Sequence, residues 1–128
     1  MPNGFVGSKE EWERLIAPLR HIDEPVAAFA RRHGLAVTRN DHGHPERSLR
    51  WEEDGLEKLV QIYLDDGARG LYTVWACAST PGGGPRRWKR RFLRRRVPWD
   101  EIRDHIDELL AEGYRDASAW GAGDLEPV

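Results

Sequence analysis

The side chains able to do chemistry are few: five histidines, one cysteine and a short glycine run within 128 residues. The most suggestive spacing is His42-Gly43-His44, flanked by Asp41 and Glu46. Zinc and nickel sites do combine imidazole with carboxylate. Specific ones, however, set ligands four apart on a helix or add cysteines at fixed intervals. This pair falls in a turn with no second ligand cluster, so it reads as a solvated polar loop. His21, His33 and His105 are isolated, and a general base needs an orienting group beside it. Cys77 lies between alanines in an apolar run, which suits a small buried hydrophobe more than an activated thiolate. Gly82-Gly83-Gly84, between Pro81 and Pro85, lacks the Lys-Ser/Thr and the spacing of a phosphate loop and reads as a linker. No catalytic residue, metal site or cofactor is therefore expected, and the chain reads as a non-enzyme.

One segment is chemically unusual. Residues 86–96 (RRWKRRFLRRR) hold eight basic side chains and no acid. The rest of the chain then carries 12 basic against 22 acidic residues, a net of −10 hidden inside a formal total of −2. Arg86, Arg87, Lys89, Arg90, Arg91, Arg94, Arg95 and Arg96, with Trp88 for stacking, have the composition of a surface that binds nucleic acid or another polyanion. Two readings without a ligand compete: an arginine-rich edge strand resists sheet-to-sheet pairing, and the acidic final helix could neutralise the segment internally.

The elements that must position these residues follow from periodicity. Composition is that of one globular domain over 1–128, with 39% hydrophobic and 33% charged residues and six tryptophans. Residues 1–7 and 116–128 are expected to be flexible or loosely docked. Ser8-Lys9-Glu10-Glu11 fits a capping box. It opens a helix with Trp12, Leu15, Ile16 and Leu19 on its apolar stripe, ending at Pro18 or just before it. A second helix starts with Asp23 as N-cap, buries Val26, Phe29 and Ala30, and stops at Gly34. From Leu35 the period becomes two. Strands are predicted from Leu35, around Leu49 and Trp51, around Val60-Ile62-Leu64, over Leu71–Ala78, and through the basic segment. Turns fall at 40–45, 53–55 and 65–67. The basic strand needs a bulge near Phe92 to keep its apolar residues in phase. Pro98 opens a last helix, with Ile102, Ile106, Leu109 and Leu110 as its stripe, ending near Gly113.

The predicted order is α-α-β-β-β-β-β-α. This is an α+β two-layer sandwich, with an antiparallel meander of four to five strands and all helices on one face. If Val60, Ile62 and Leu64 meet the helices, Leu59 and Tyr63 face away. They would be joined by Tyr72, Val74 and Ala76, or by Leu71, Trp75 and Cys77, according to the phase of the fourth strand. Leu59, Tyr63, Tyr72 and Val74 are taken as the contact face. A surface so apolar suits a protein partner or a homodimer, and an interaction protein of this kind is the favoured function. The polyanion-binding module is the alternative. A cytoplasmic location is expected, since one cysteine excludes an internal disulfide and no signal-peptide pattern opens the sequence. No apolar run approaches the length of a membrane span. The layout is similar in size and order to small bacterial immunity, chaperone and adaptor proteins, a likeness that involves no specific residue.

Overall fold

The computed structural model describes residues 7–65, 70–81 and 87–127, with the backbone alone for 87–92, 122, 126 and 127. Two helices, a five-strand antiparallel meander and a C-terminal helix follow one another in the order α-α-β-β-β-β-β-α. A two-residue strand pairs with the last strand of the meander.

Helix α1 (Lys9–His21) begins where the Ser8 hydroxyl accepts the Glu11 backbone N–H at 3.1 Å. This is half of the expected capping box. The Glu11 carboxylate accepts from the Ser8 hydroxyl at 3.3 Å. The helix does not end at Pro18. It runs one further turn to His21, and Pro18 removes one backbone donor without breaking it. Only Ile22 separates it from α2 (Asp23–His33), and Ile22 is buried between them. Asp23 is thus the first helical residue and not a side-chain cap. Its carboxylate is engaged by arginines of the sheet instead. Gly34, at φ 68°, closes α2 in the left-handed conformation, as expected of a helix-terminating glycine.

The meander comprises β1 (Ala36–Asn40), β2 (Glu46–Glu53), β3 (Leu56–Leu64), β4 (Leu71–Ser79) and β5 (Arg87–Pro98). The β2–β3 turn is Asp54-Gly55, both at positive φ, the two-residue type whose twist matches its flanking strands. β5 is a strand, as expected. Its register against β4 shifts between Trp75↔Phe92 and Val74↔Arg94, and again before Tyr72↔Val97. The first shift inserts Leu93, which lets both Leu93 and Val97 meet the core. The expected turn at 65–67 and the linker 81–85 fall largely outside the described residues. β6 (Glu126–Pro127) pairs with Arg87–Trp88 of β5.

α3 (Trp99–Ser118) continues five residues beyond Gly113. Gly113 is not a terminator. A methyl group there would lie 2.8 Å from Val60 Cγ1 and 2.9 Å from Leu93 Cδ1. The glycine is where the helix crosses closest over β3 and β5. Leu19, Val26, Phe29, Ile102, Ile106 and Leu110 then pack with Leu49, Val60, Ile62, Tyr72, Val74 and Val97 in one core. All three helices therefore contribute to the core on one side of the sheet. Past α3, Trp120 and Leu125 are each 3% exposed and pack with Leu56 and Ala78. Trp120 and Leu125 thus join the stretch after 116 to β3 and β4. Among the described residues, no helix is long and apolar enough to cross a membrane.

Candidate functional site

β3 alternates as the sequence implies: Leu56, Lys58, Val60 and Ile62 are buried beneath the helices, and Leu59, Gln61 and Tyr63 occupy the opposite face. Register then fixes β4. Ile62 pairs with Val74 and Leu64 with Tyr72, so those two residues lie on the helix side, 0% and 1% exposed. Tyr72 and Val74 must therefore be removed from the contact face. Leu71, Thr73, Trp75 and Cys77 take their place, beside Tyr63, Gln61 and Leu59. Periodicity could not decide this, because β4 is apolar in both phases.

A hydrogen-bonded ladder holds the outer face rigid. Trp75 Nε1 donates to Gln61 Oε1, and Gln61 Nε2 donates to Glu46 Oε2. The Ser48 hydroxyl donates to Glu46 Oε1 at 3.1 Å. Three adjacent strands are thereby linked through their side chains, with the oxygen and one N–H of the Gln61 amide engaged. The Tyr63 and Trp75 rings meet edge to face, centroids 5.6 Å apart at 63°. Leu59, Tyr63, Trp75 and Cys77 are each half-buried, and among the described residues no helix packs on them. The described residues of this face combine aromatic and polar side chains.

The basic strand forms its border. Arg94, Arg95 and Arg96 are exposed, and Arg96 adopts a left-handed φ of 53°. Phe92 and Arg90 sit in register opposite Trp75 and Cys77. Arg87, Trp88, Lys89, Arg90 and Arg91 belong to β5 by backbone alone, and Arg86 lies outside the described residues. The acids of α3 make their described contacts within the helix: Asp100 and Asp104 pair with Arg103, and Glu108 Oε2 lies 3.4 Å from His105 Nδ1.

Arg47 and Lys58, two buried cations missed in the sequence, lie on the helix side. Arg47 is 2% exposed, with Nε 2.5 Å from Asp23 Oδ1 and Nη2 2.8 Å from Asp41 Oδ1. Its Nη1 donates to the Glu46 and Asn40 carbonyls. Burial pushes the Asp41 carboxyl up, but hydrogen bonds and charge from Arg47 and Arg20 outweigh it and hold it below its ordinary value. Lys58 donates at 3.1 Å to both Glu53 Oε1 and the Ser118 carbonyl. Burial likewise pushes Glu53 up, and Lys58, Ser118 and Trp51 together bring it down. The signal for both was a cation in the apolar phase of a strand: Arg47 with Leu49 and Trp51, Lys58 with Val60 and Ile62.

These contacts also account for the histidine loop. Asp41 serves Arg47 and Arg20, and Glu46 serves Gln61 and Ser48, so both carboxylates flanking His42 and His44 have other partners. The His42 backbone N–H donates to Asn40 Oδ1 at 2.9 Å, an Asx turn. His33 stacks on Phe29 and Tyr114, with ring centroids 4.4 and 4.7 Å away. His105 marks a kink in α3 at φ −126°. Among the described residues, no three His, Cys, Asp or Glu side chains gather as metal ligands. No family model, curated protein or solved structure matches the chain.

Proposed function

We propose that this chain is a non-catalytic interaction protein that docks a protein through the outer face of its sheet. The observation that carries the reading is Leu59, Tyr63, Trp75 and Cys77 side by side on a face over which no described helix lies. A platform of large, rigid side chains loses little conformational entropy on binding, and Trp and Tyr dominate interface energetics for that reason. The Glu46–Gln61–Trp75 ladder adds pre-organisation. A cytoplasmic setting fits a chain whose one cysteine cannot form an internal disulfide.

A photo-crosslinking amino acid at position 59, with position 107 on the exposed side of α3 as control, tests this in living cells. Discrete protein adducts from 59 and none from 107 support the reading. No adduct from 59, or the same adducts from both positions, contradicts it.

Exposed Arg94, Arg95 and Arg96 favour a second reading, a polyanion-binding strand. Its signature is affinity for single- or double-stranded nucleic acid that falls with salt, by about 0.7–0.9 log units per phosphate neutralised. No detectable binding at low salt excludes it.

A further inference from the structure

We infer that the open edge of β5 is a docking site for an acidic, extended peptide segment of a partner protein, added to the sheet as a further strand. This surface is the rim of the sheet and not its outer face, so the inference stands apart from the docking reading above.

Backbone hydrogen bonding alternates along an antiparallel strand, and two bonds fix its phase here. Leu64 N–H donates to the Pro45 carbonyl at 3.2 Å, and Asp65 N–H to the Leu71 carbonyl at 3.1 Å. Even residues of β3 are therefore bonded to β2, and odd residues to the odd residues of β4. Ala76 and Ala78 then turn their N–H and C=O groups to β5, where their partners are Arg91 and Lys89. Trp88, Arg90 and Phe92 consequently direct theirs away from the sheet. Trp88 is taken, because it pairs with Glu126 of β6. Among the described residues, no strand pairs with β5 beyond that point. Arg90 and Phe92 thus offer donors and acceptors at strand spacing.

β6 shows what this edge accepts. It is an antiparallel strand, and it sets an acidic residue, Glu126, against Trp88. The tail goes no further along the edge, since Leu125 is buried with Leu56 and Ala78.

Charge selects the partner. Lys89, Arg90 and Arg91 are consecutive, so an added strand has cationic positions beside it on both faces of the sheet, whatever its phase. Exposed Arg94, Arg95 and Arg96 follow. Such an edge repels a second β5, which is the protective use of charge on edge strands. It attracts an acidic strand, so one feature both excludes self-pairing and recruits the partner. Main-chain bonds supply the affinity of strand addition, and the flanking side chains its specificity. The pairing of β5 with β4 is regular over 88–92 and shifts beyond it, which places the added strand on that stretch.

Titration of the full chain with a labelled peptide of alternating glutamate and valine tests this, with backbone amide exchange followed by NMR. In the free protein, the Lys89 and Arg91 N–H groups should be protected and those of Arg90 and Phe92 should exchange rapidly. Bound peptide is expected to slow exchange at Arg90 and Phe92 at least about tenfold. The same peptide N-methylated throughout keeps its charge but cannot form the ladder, and should bind at least about tenfold more weakly. No binding of the glutamate peptide at low salt overturns the inference. Equal binding of the methylated peptide, without protection of Arg90 and Phe92, overturns it too. Single-stranded DNA that displaces the peptide, again without that protection, assigns the strand to nucleic acid instead. The crosslinks from position 59 judge the outer face independently of each of these results.

Discussion

The two faces of one sheet solve the problem of polar groups in opposite ways. On the helix face, Arg47 and Lys58 are buried ions neutralised by carboxylates and backbone carbonyls that other elements bring to them. On the outer face, Glu46, Gln61 and Trp75 satisfy one another within the sheet. The first face is complete only once helices are in place. The second reaches its hydrogen-bonded state without them, and still leaves Leu59, Tyr63 and Trp75 half-buried. A face whose polar groups satisfy one another, and whose aromatic side chains no described helix covers, is suited to a partner. A face whose ions need partners from elsewhere is a core.

The sharpest way to break this contrast is to remove the ion on which the helix face depends. Arg47→Ala removes the buried guanidinium shared by Asp23 and Asp41, leaving them only the exposed Arg39 and Arg20, and is expected to cost about 3 kcal/mol in urea denaturation. The same cluster sets an acid limit. The folded Asp41 pKa lies below its ordinary 3.8, so the unfolded chain takes up its proton first. Stability from this group is present above that value and is lost as pH falls through the folded pKa. Acid titration of unfolding should therefore show a steeper loss below about pH 4 in the wild type than in Arg47→Ala.

Tyr72 provides an alkaline counterpart. Burial pushes its phenol up to about 12, from 10.0 in the open chain. The unfolded chain ionises first as pH rises, so stability is complete below pH 10.0 and declines towards about 12. Tyrosinate absorbance should develop together with unfolding. Tyr72→Phe is expected to flatten that dependence and to cost about 1 kcal/mol at neutral pH. It leaves the Leu15 carbonyl without the hydroxyl that donates to it at 3.0 Å.

Gly113→Ala is expected to produce a smaller effect, opposite in sign to helix propensity. Alanine gains about 1 kcal/mol in an exposed helix, yet here its methyl meets Val60 and Leu93 at 2.8–3.0 Å. A net loss of about 1–2 kcal/mol in thermal unfolding follows from overpacking. A stabilised variant would show that α3 can lift from the sheet freely.

Much of this contrast was legible in the residues. Ser8 and Gly34 mark the ends of their helices, the Asp54-Gly55 turn closes its hairpin, and the alternation of β3 separates Val60 from Leu59. The misreadings have physical causes. Pro18 and Gly113 look like terminators, but a helix tolerates a lost donor, and a close crossing demands a missing Cβ. Tyr72 and Val74 were assigned to the wrong face because a strand apolar in both phases carries no parity signal, and only pairing with β3 supplies it. Arg47 and Lys58 find partners as distant in sequence as Asp23 and Ser118, 24 and 60 residues away. Local pattern is blind to such pairings. The Glu46–Gln61–Trp75 ladder likewise exists only once three strands are in register.

Neighbouring residues of β3 offer the most direct test. Val60→Asp and Leu59→Asp place the same charge one residue apart, on opposite faces of the sheet. Urea denaturation at neutral pH should find Val60→Asp largely unfolded, since an unpaired carboxylate would replace a side chain 1% exposed in the core. Leu59→Asp should stay folded within about 1 kcal/mol of wild type. Equal destabilisation by the two would contradict the account, because the outer face would then be core and not a contact surface.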